Sequence, residues 1–457
     1  MKTLSSNKNG LIGYVKETVE GVTPTNPEIK ILQVIPEGTT INNEPITIES
    51  ELRTSGRRAN GSEQVGLNVS SNIESELKFG SHKEFIGAVL CNDWVEQNRS
   101  AITTISGIDI IVTDNTGFAV DDVVGCKGSK AVITAVDVDG VTITVDTALA
   151  NAEVDLDLVK VGVQADASDV NTLADGIDST LLDYTSLGLA NGVHIKLSGF
   201  ATEANNNYVR VRNIATNKLT LDNLPTGWNA GETGTIQILW GDYVIDGDIR
   251  KSYTLHQKID TNPISYEYSS GHSLNTMNLA LDTASKINTT FTTIGKTAEE
   301  FVTSKKSGQT EVALYNSNIM NTSSNIGRLF INGLELGGTN YVSSMNIEVN
   351  NNIEGKGAIG YYYNVQTSFG DMAITGNITM LLNDISIVNA IRNGTIFGVL
   401  SVFARNGQAQ IFDVPAIKLN SETIGNDGND VTISSDYSAL PHEYMQHMAV
   451  FQEIEAY

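Results

Sequence analysis

The feature that most constrains the fold is a run of alternating side chains over residues 67–79. One set is mostly apolar, namely Leu67, Val69, Ser71, Ile73, Ser75, Leu77 and Phe79. The intervening set is polar, namely Asn68, Ser70, Asn72, Glu74, Glu76 and Lys78. A period of two predicts a long strand with one buried face. After Gly80 the apolar residues have helical spacing, at Phe85, Ile86, Val89 and Leu90. We therefore predict a short helix after the strand, with Ser81 as its N-cap.

The same pattern returns at residues 371–392. Its alternating positions are Met372, Ile374, Gly376, Ile378, Met380 and Leu382, and an apolar segment with Ile387, Val388 and Ile391 follows. Ile73 aligns with Ile378, and Asn72 therefore aligns with Asn377. An alternating strand before a helix also arises by chance in β-proteins. The flanking order of two strands and a long loop is the same in both places, however, and this favours a duplicated domain.

The predicted organisation is mainly β, with two tandem domains and an insertion. The predicted boundaries are 1–100 and 241–295 for the two parts of the first domain, 101–240 for the insertion, 296–327 for a linker and 328–457 for the second domain. The insertion reads as two small β-modules, with a hairpin signal at Asp139-Gly140. It carries 18 acidic and 7 basic side chains, a net charge of −11.

Composition excludes several classes of protein. The net charge is −24, and an acidic chain lacks the cations needed to bind a phosphate backbone tightly. No apolar run reaches the length of a membrane span, and the N-terminus lacks an apolar signal region, so we expect neither a membrane anchor nor a secretory signal. The two cysteines, Cys91 and Cys126, fit a protein made in a reducing cytosol.

No motif supports catalysis, a metal or a cofactor. His442 and His447 are five residues apart, so they would not share a helical face as a zinc motif requires. The acidic turns 137–140 and 426–430 lack the further spaced ligands of a calcium loop. Residues 125–130 lack the ending of a phosphate loop. We therefore expect a protein that is not an enzyme, with no catalytic residues, no metal site and no cofactor.

One basic cluster precedes the long strand. Arg53, Arg57 and Arg58 lie in a polar loop over residues 50–62. They are candidates for contact with an acidic face of a neighbouring subunit. A solvated loop explains them equally well, and both interpretations stay open.

Several short motifs, taken in their order, resemble a known family. They are Glu17…Gly21…Pro24, Ile48-Glu49-Ser50-Glu51, Arg53 and Arg57, Lys251-Ser252-Tyr253-Thr254-Leu255, Met277-Asn278-Leu279, Thr293-Ile294-Gly295-Lys296, Ile331-Asn332-Gly333, Val342-Ser343-Ser344-Met345 and Asn350-Asn351-Asn352-Ile353. The chain resembles the major tail tube proteins of long-tailed, non-contractile bacteriophages over most of residues 13–95 and 250–455.

The resemblance implies a structural virion protein, made in the host cytoplasm. Each tube domain would be a β-sandwich or half-barrel with one flanking helix. Domains from several chains would join their sheets into a closed ring, and stacked rings would form a hollow tube for the genome. Other tail proteins would bind the tube ends. The insertion is expected on the outer surface.

Two finer expectations follow from the resemblance and the repeat. The polar faces of the two long strands would line the lumen and let DNA pass without tight binding, with Asn72, Glu74, Glu76, Asn377 and Thr379 as the candidate lining residues. Two tube domains per chain would make the ring a homotrimer with pseudo-sixfold symmetry. The alternative is a homohexamer with the second domain as a decoration.

The competing function is a cell-surface or adhesive β-protein, with carbohydrate-binding modules in the insertion.

Overall fold

A computed structural model describes residues 11–51, 61–166, 169–313, 317–331, 334–335, 341–383, 385–428 and 430–457. The described chain is mainly β, as predicted. Its two α-helices are α1 (Lys83–Val89) and α2 (Ser386–Arg392), and 3-10 turns lie at Tyr184–Ser186 and Glu203–Asn205. Neither described α-helix is long or apolar enough to cross a bilayer.

The strands before the predicted insertion are β1 (Leu11–Lys16), β2 (Glu28–Ile31), β3 (Thr40–Glu49) and β4 (Ser62–Glu76). The strands of residues 99–239 are β5 (Arg99–Ser106), β6 (Asp109–Val112), β7 (Asp122–Cys126), β8 (Ser129–Val136), β9 (Thr142–Val145), β10 (Asp157–Gln164), β11 (Asn171–Leu173), β12 (Gly176–Asp178), β13 (His194–Ser198), β14 (Tyr208–Ala215), β15 (Lys218–Asp222) and β16 (Gln237–Leu239).

The strands that follow are β17 (Asp242–Ile245), β18 (Tyr253–Ile259), β19 (Ser265–Asp282), β20 (Asn288–Gly295), β21 (Thr297–Ala298) and β22 (Thr310–Ala313). The last strands are β23 (Ile326–Ile331), β24 (Leu334–Glu335), β25 (Tyr341–Asn350), β26 (Glu354–Lys356), β27 (Gln366–Ser368), β28 (Ala373–Leu381), β29 (Ile396–Arg405), β30 (Gln408–Leu419), β31 (Thr423–Asp427), β32 (Asp430–Ala439) and β33 (Val450–Ile454).

Eight strands form one continuous antiparallel layer, which we call the long sheet. Its order is β3-β4-β20-β19-β25-β28-β32-β31. The layer joins the beginning and the end of the chain through the β19–β25 pair. One face of it packs on the main core, which contains both Ile73 and Ile378.

A second layer covers that core. It comprises β1-β18 with the first part of β19, and β23-β29-β30-β33-β17. The strand β19 takes part in both layers, and it changes direction near Gly271, whose φ is +72°. Glycine adopts this backbone conformation without the steric cost that a Cβ would bring. The main body is thus a sandwich of two β-layers.

The two α-helices contribute to the main core. Phe85 and Ile86 of α1 and Ile387 and Val388 of α2 are buried in it. The helix predicted after Gly80 is present, but its N-cap is His82 rather than Ser81, and no side chain caps it. The short, mostly apolar sequence of α1 is stabilised by packing rather than by its own hydrogen bonds.

Residues 99–239 have two apolar cores of their own. Strands β5-β6-β9-β8-β7-β10 close into a small six-stranded barrel, because β10 pairs with both β5 and β7. Strand β10 also pairs with β16, which leads into the second group, β16-β13-β14-β15-β12-β11. Each group encloses a separate cluster of buried side chains.

Two segments are more structured than their composition suggested. Near the N-terminus, β1 pairs with β18. In residues 296–327, β22 pairs in parallel with β2, and Lys306 lies over the ring of Tyr268 with its Nζ 4.8 Å from the centroid. The longest strand, β19, is continuous over 18 residues.

Candidate functional site

The long sheet has a polar face that extends over several neighbouring strands. On β4, Asn72, Glu74 and Glu76 are half-buried, while Ser71 and Ile73 are buried on the other face. The alternation read from the sequence is therefore present in the structure. The polar side chains stand on the face opposite the main core.

Each candidate on β4 has a local partner or neighbour. The Asn72 amide donates a hydrogen bond to the Gly38 carbonyl at 2.7 Å. Lys286 donates to Glu76 at 2.7 Å. Glu74 is paired across the strand with Thr290. Since the Lys286–Glu76 pair is partly exposed to solvent, it contributes little to stability.

The candidates on β28 also have polar partners. The Asn377 amide donates to Asp436 at 2.9 Å, and its backbone N–H donates to the Asn346 side chain at 2.6 Å. The hydroxyls of Thr379 and Ser434 are 3.1 Å apart. Asn377 occupies on β28 the position that Asn72 occupies on β4.

The two sets of candidates belong to one surface. Between them, at the same level of the sheet, lie the side chains of β20, β19 and β25. The positions on this face from β20 to β25 include Thr292, Thr290, Asn288, Thr276, Asn278, Asn346 and Glu348. These side chains present hydroxyl, amide and carboxylate groups. Such a surface holds water and offers few cations to a phosphate backbone.

The basic cluster lies outside the described residues. Arg53, Arg57 and Arg58 fall in the gap between residues 51 and 61. Their contact with a neighbouring subunit stays a prediction.

The motif Glu17…Gly21 has a structural role. The buried Glu17 carboxylate accepts hydrogen bonds from the backbone N–H groups of Gly21 at 2.7 Å and Gly271 at 2.9 Å. It also accepts from the Thr254 hydroxyl at 2.8 Å. One carboxylate thus ties the N-terminal segment to β18 and to the bend of β19.

The histidines of the described residues are not grouped into a metal site. His272 lies between the hydroxyls of Thr293 and Ser269, at 2.7 Å from each. Burial lowers the pKa of His272 to about 3 and that of His82 to about 4, so both are neutral at pH 7. Among the described residues, no group of three metal-ligating side chains comes together.

An ionic contact that sequence reasoning missed joins residues 101–240 to the end of the chain. Arg210 on β14 donates two hydrogen bonds to Asp413 on β30, from Nε at 2.7 Å and from Nη2 at 2.6 Å. Both side chains are buried. The available signal was a charged residue inside an otherwise apolar strand, which is rarely buried unless it is paired.

An apolar cluster includes residues of the same two strands, Tyr208 of β14 and Ile411 of β30. Tyr208 packs with Phe330, Leu400, Val402 and Ile411. In β29, Val399 and Phe403 face the main core, while Leu400 and Val402 face residues 101–240. The strand is therefore buried on both faces, which accounts for its continuous apolar sequence.

A second polar contact lies beside a cavity of about 260 Å³ between the small barrel and β33. The Glu455 carboxylate accepts hydrogen bonds from the Lys127 backbone N–H at 2.8 Å and from the Gln408 amide at 3.0 Å. Burial raises the pKa of Glu455 to about 7. The carboxyl is therefore only partly ionised at neutral pH.

Comparison with known proteins agrees with this architecture. A family profile described as "Phage tail tube protein" matches residues 7–439. No match was found among curated proteins.

Proposed function

Because the chain belongs to the phage tail tube protein family, as the match over residues 7–439 shows, we propose that copies of it assemble into rings that stack into the hollow tail tube, and that the genome passes through it. The family makes the protein a structural component of the virion tail, and it is not a family of enzymes. The observation that carries the proposal is the long sheet: its six inner strands bury one face in the main core and present mostly polar side chains on the other.

A tandem duplication supports rings of few copies. The pairs β1–β18 and β3–β4 of the first half correspond to β23–β29 and β25–β28 of the second. The hairpin β19–β20 corresponds to β31–β32, and α1 corresponds to α2. We infer two tube domains, 1–100 with 241–295 and 328–457, joined by residues 296–327.

Geometry favours three copies in each ring. Neighbouring strands lie about 4.8 Å apart, so eight strands span roughly 38 Å. Three copies would give a circumference of roughly 115 Å and a diameter of roughly 37 Å between backbones, more if the strands tilt. Two copies would give roughly 24 Å, which side chains from opposite walls would largely fill. Since both halves contribute strands to one layer, we prefer a homotrimer to a homohexamer with one domain outside the wall.

The polar face would line the lumen. Asn72, Glu74, Glu76, Asn377 and Thr379 would then face the passing DNA. Their acidic and neutral groups would avoid ion pairs with phosphates, which would slow the movement of the genome.

Residues 101–240 would lie outside the tube. They cover the face of β29 that points away from the main core, and the main core separates that face from the polar face of the long sheet. A Val138→Cys variant tests this placement, because Val138 is fully exposed. A gold label on that cysteine should appear on the outer wall of assembled tubes, and a label inside the lumen would contradict the placement.

Electron microscopy of the purified full chain tests the assembly. We expect rings or tubes with true threefold symmetry. The expected ring mass is three times the 49.1 kDa of the chain, measured by native mass spectrometry. Particles that stay monomeric at all concentrations would contradict the tube function, and six equivalent chains in a ring would contradict the trimer.

A further inference from the structure

Within the long sheet, the junction between the two halves serves as a template. Strands β19 and β25 pair over seven positions, from Thr276 opposite Asn350 to Asp282 opposite Ser344. At the centre, Leu279 lies opposite Ile347, and both side chains are buried, at 1% and 0% exposure.

The first free edge of the long sheet corresponds to β25. Asn72 and Asn377 occupy equivalent positions, and their partners on one side are Thr40 of β3 and Asn346 of β25. In the described chain β3 pairs only with β4. Strand β3 is thus equivalent to β25. Strand β25 pairs with a strand on each side, whereas β3 pairs with a strand on one side only in the described chain.

The other free edge corresponds to the second part of β19. Leu279 pairs with Thr289 of β20, and Ile424 of β31 pairs with Ile433 of β32. Thr289 pairs in turn with Ser75 of β4, and Ile433 pairs with Met380 of β28. Ser75 and Met380 are equivalent positions, because each lies two residues after the aligned pair Ile73 and Ile378. Ile424 therefore has the place of Leu279, and within the described residues β31 pairs only with β32.

Exposure distinguishes the free edge from the internal junction. Ile424 is 52% exposed, whereas Leu279 is 1% exposed. On β3, Ile41 is only partly buried, whereas its equivalent on β25, Ile347, is fully buried. Exposed apolar side chains on unpaired strand edges mark a surface that binds another strand.

We propose that β31 of one copy pairs antiparallel with β3 of a second copy of this chain, in the register of the β19–β25 junction. Thr423 then lies opposite Asn42 of the partner subunit, and Ile424 lies opposite Ile41 of the partner subunit. This inference rests on the proposed function, and it adds which edges meet and in which register.

The arrangement is consistent in direction and in face. Eight antiparallel strands give edges of opposite direction, so β31 and β3 meet antiparallel, as β19 and β25 do. Thr423 is on the polar face, because its partner Ser434 pairs with Thr379. Asn42 is on the same face, because it lies two residues from Thr40, the partner of Asn72. Joining the edges therefore continues the polar face without a break.

Cysteine cross-linking of the full chain tests the register. In the variant with Thr423→Cys and Asn42→Cys, mild oxidation should link most chains into covalent oligomers, because directly opposed residues in a sheet have Cα atoms about 5 Å apart, within disulfide range. The matched control is Thr423→Cys with Ile46→Cys, whose second cysteine lies about 13 Å further along β3. It should link at least tenfold more slowly. The native Cys91 and Cys126 are buried.

A second variant tests the edge without relying on a disulfide. Ile424→Lys should shift the chain to monomers in sedimentation experiments, whereas Val138→Lys, at an exposed position of the insertion, should not. Unchanged circular dichroism shows that each variant is folded.

The outcomes separate this inference from the proposed function. Rings that form without the 423–42 link, or with faster 423–46 linkage, overturn the register and leave the tube function intact. Cross-links without rings would support the contact between the two edges and contradict the proposed ring assembly. The absence of both rings and links overturns both.

Discussion

Arg210 and Asp413 form a buried, two-bond ion pair between residues that are 203 positions apart in the chain. The pair joins β14, in the predicted insertion, to β30. Removing one partner of a buried ion pair destabilises the folded state strongly, because the remaining charge stays buried without compensation.

We therefore predict that Asp413→Ala lowers the free energy of unfolding by about 3–5 kcal/mol, because it leaves the Arg210 guanidinium buried without its partner. The double variant Arg210→Met with Asp413→Leu should recover most of that loss, since it removes both charges. Urea unfolding followed by fluorescence measures both. Equal destabilisation by the single and double variants would show that packing, rather than the unpaired charge, determines the effect.

Glu455 predicts a pH dependence of stability. Its pKa is raised from 4.5 in the unfolded chain to about 7 in the folded one by burial. The folded state therefore binds the proton more tightly, so this contribution is fully present below pH 4.5 and is lost as the pH rises towards and through 7. The urea midpoint of the wild type should fall over this range relative to that of Glu455→Gln, which keeps an oxygen for Lys127 and Gln408. Parallel pH profiles of the two proteins would contradict the prediction.

The Glu17 carboxylate predicts an effect on the N-terminal segment. Glu17→Ala removes the hydrogen-bond acceptor for Gly21, Gly271 and Thr254. A hydrogen bond to a charged group contributes about 1.5–3 kcal/mol to the free energy of unfolding. We expect a loss of about 2–4 kcal/mol and faster hydrogen exchange of the Gly21 and Gly271 amides. Glu28→Ala, at an exposed position of β2, is the control and should change stability by less than about 0.5 kcal/mol.

The polar face predicts an effect on genome passage. Glu74→Lys with Glu76→Lys should leave the fold and assembly intact, because both side chains lie on the half-buried polar face rather than in the core. The added cations should bind DNA phosphates and slow ejection from phage that carry the variant, most strongly at low salt. Glu74→Gln with Glu76→Gln, which removes the charges without adding cations, is the control. Ejection at the wild-type rate in the lysine variant would place these residues outside the lumen.

Much of the strand structure could be predicted because the period of the side chains is local. The alternation over residues 67–79 identified which side chains of β4 face the core. The helix α1 was placed correctly, but its N-cap was assigned to Ser81 rather than His82, because capping depends on backbone geometry at the strand–helix junction.

The candidate site was predicted only in part. The sequence placed Asn72 and Asn377 on polar faces, yet it did not show that both belong to one sheet. That follows from the pairing of β19 with β25, and a period of two specifies the face of a strand without specifying its neighbour. The Arg210–Asp413 contact was missed for the same reason, since it joins elements that only the folded chain brings together.

By itself, the amino-acid sequence determined the strands, their buried and polar faces, the repeated pattern and the acidic character, because each depends on residues close together in the chain. The tertiary structure alone decided the order of strands in the long sheet, the bend of β19 at Gly271 and the packing of residues 101–240 on β29. These depend on contacts between distant residues, whose burial and hydrogen bonds exist only once the chain has closed its long loops.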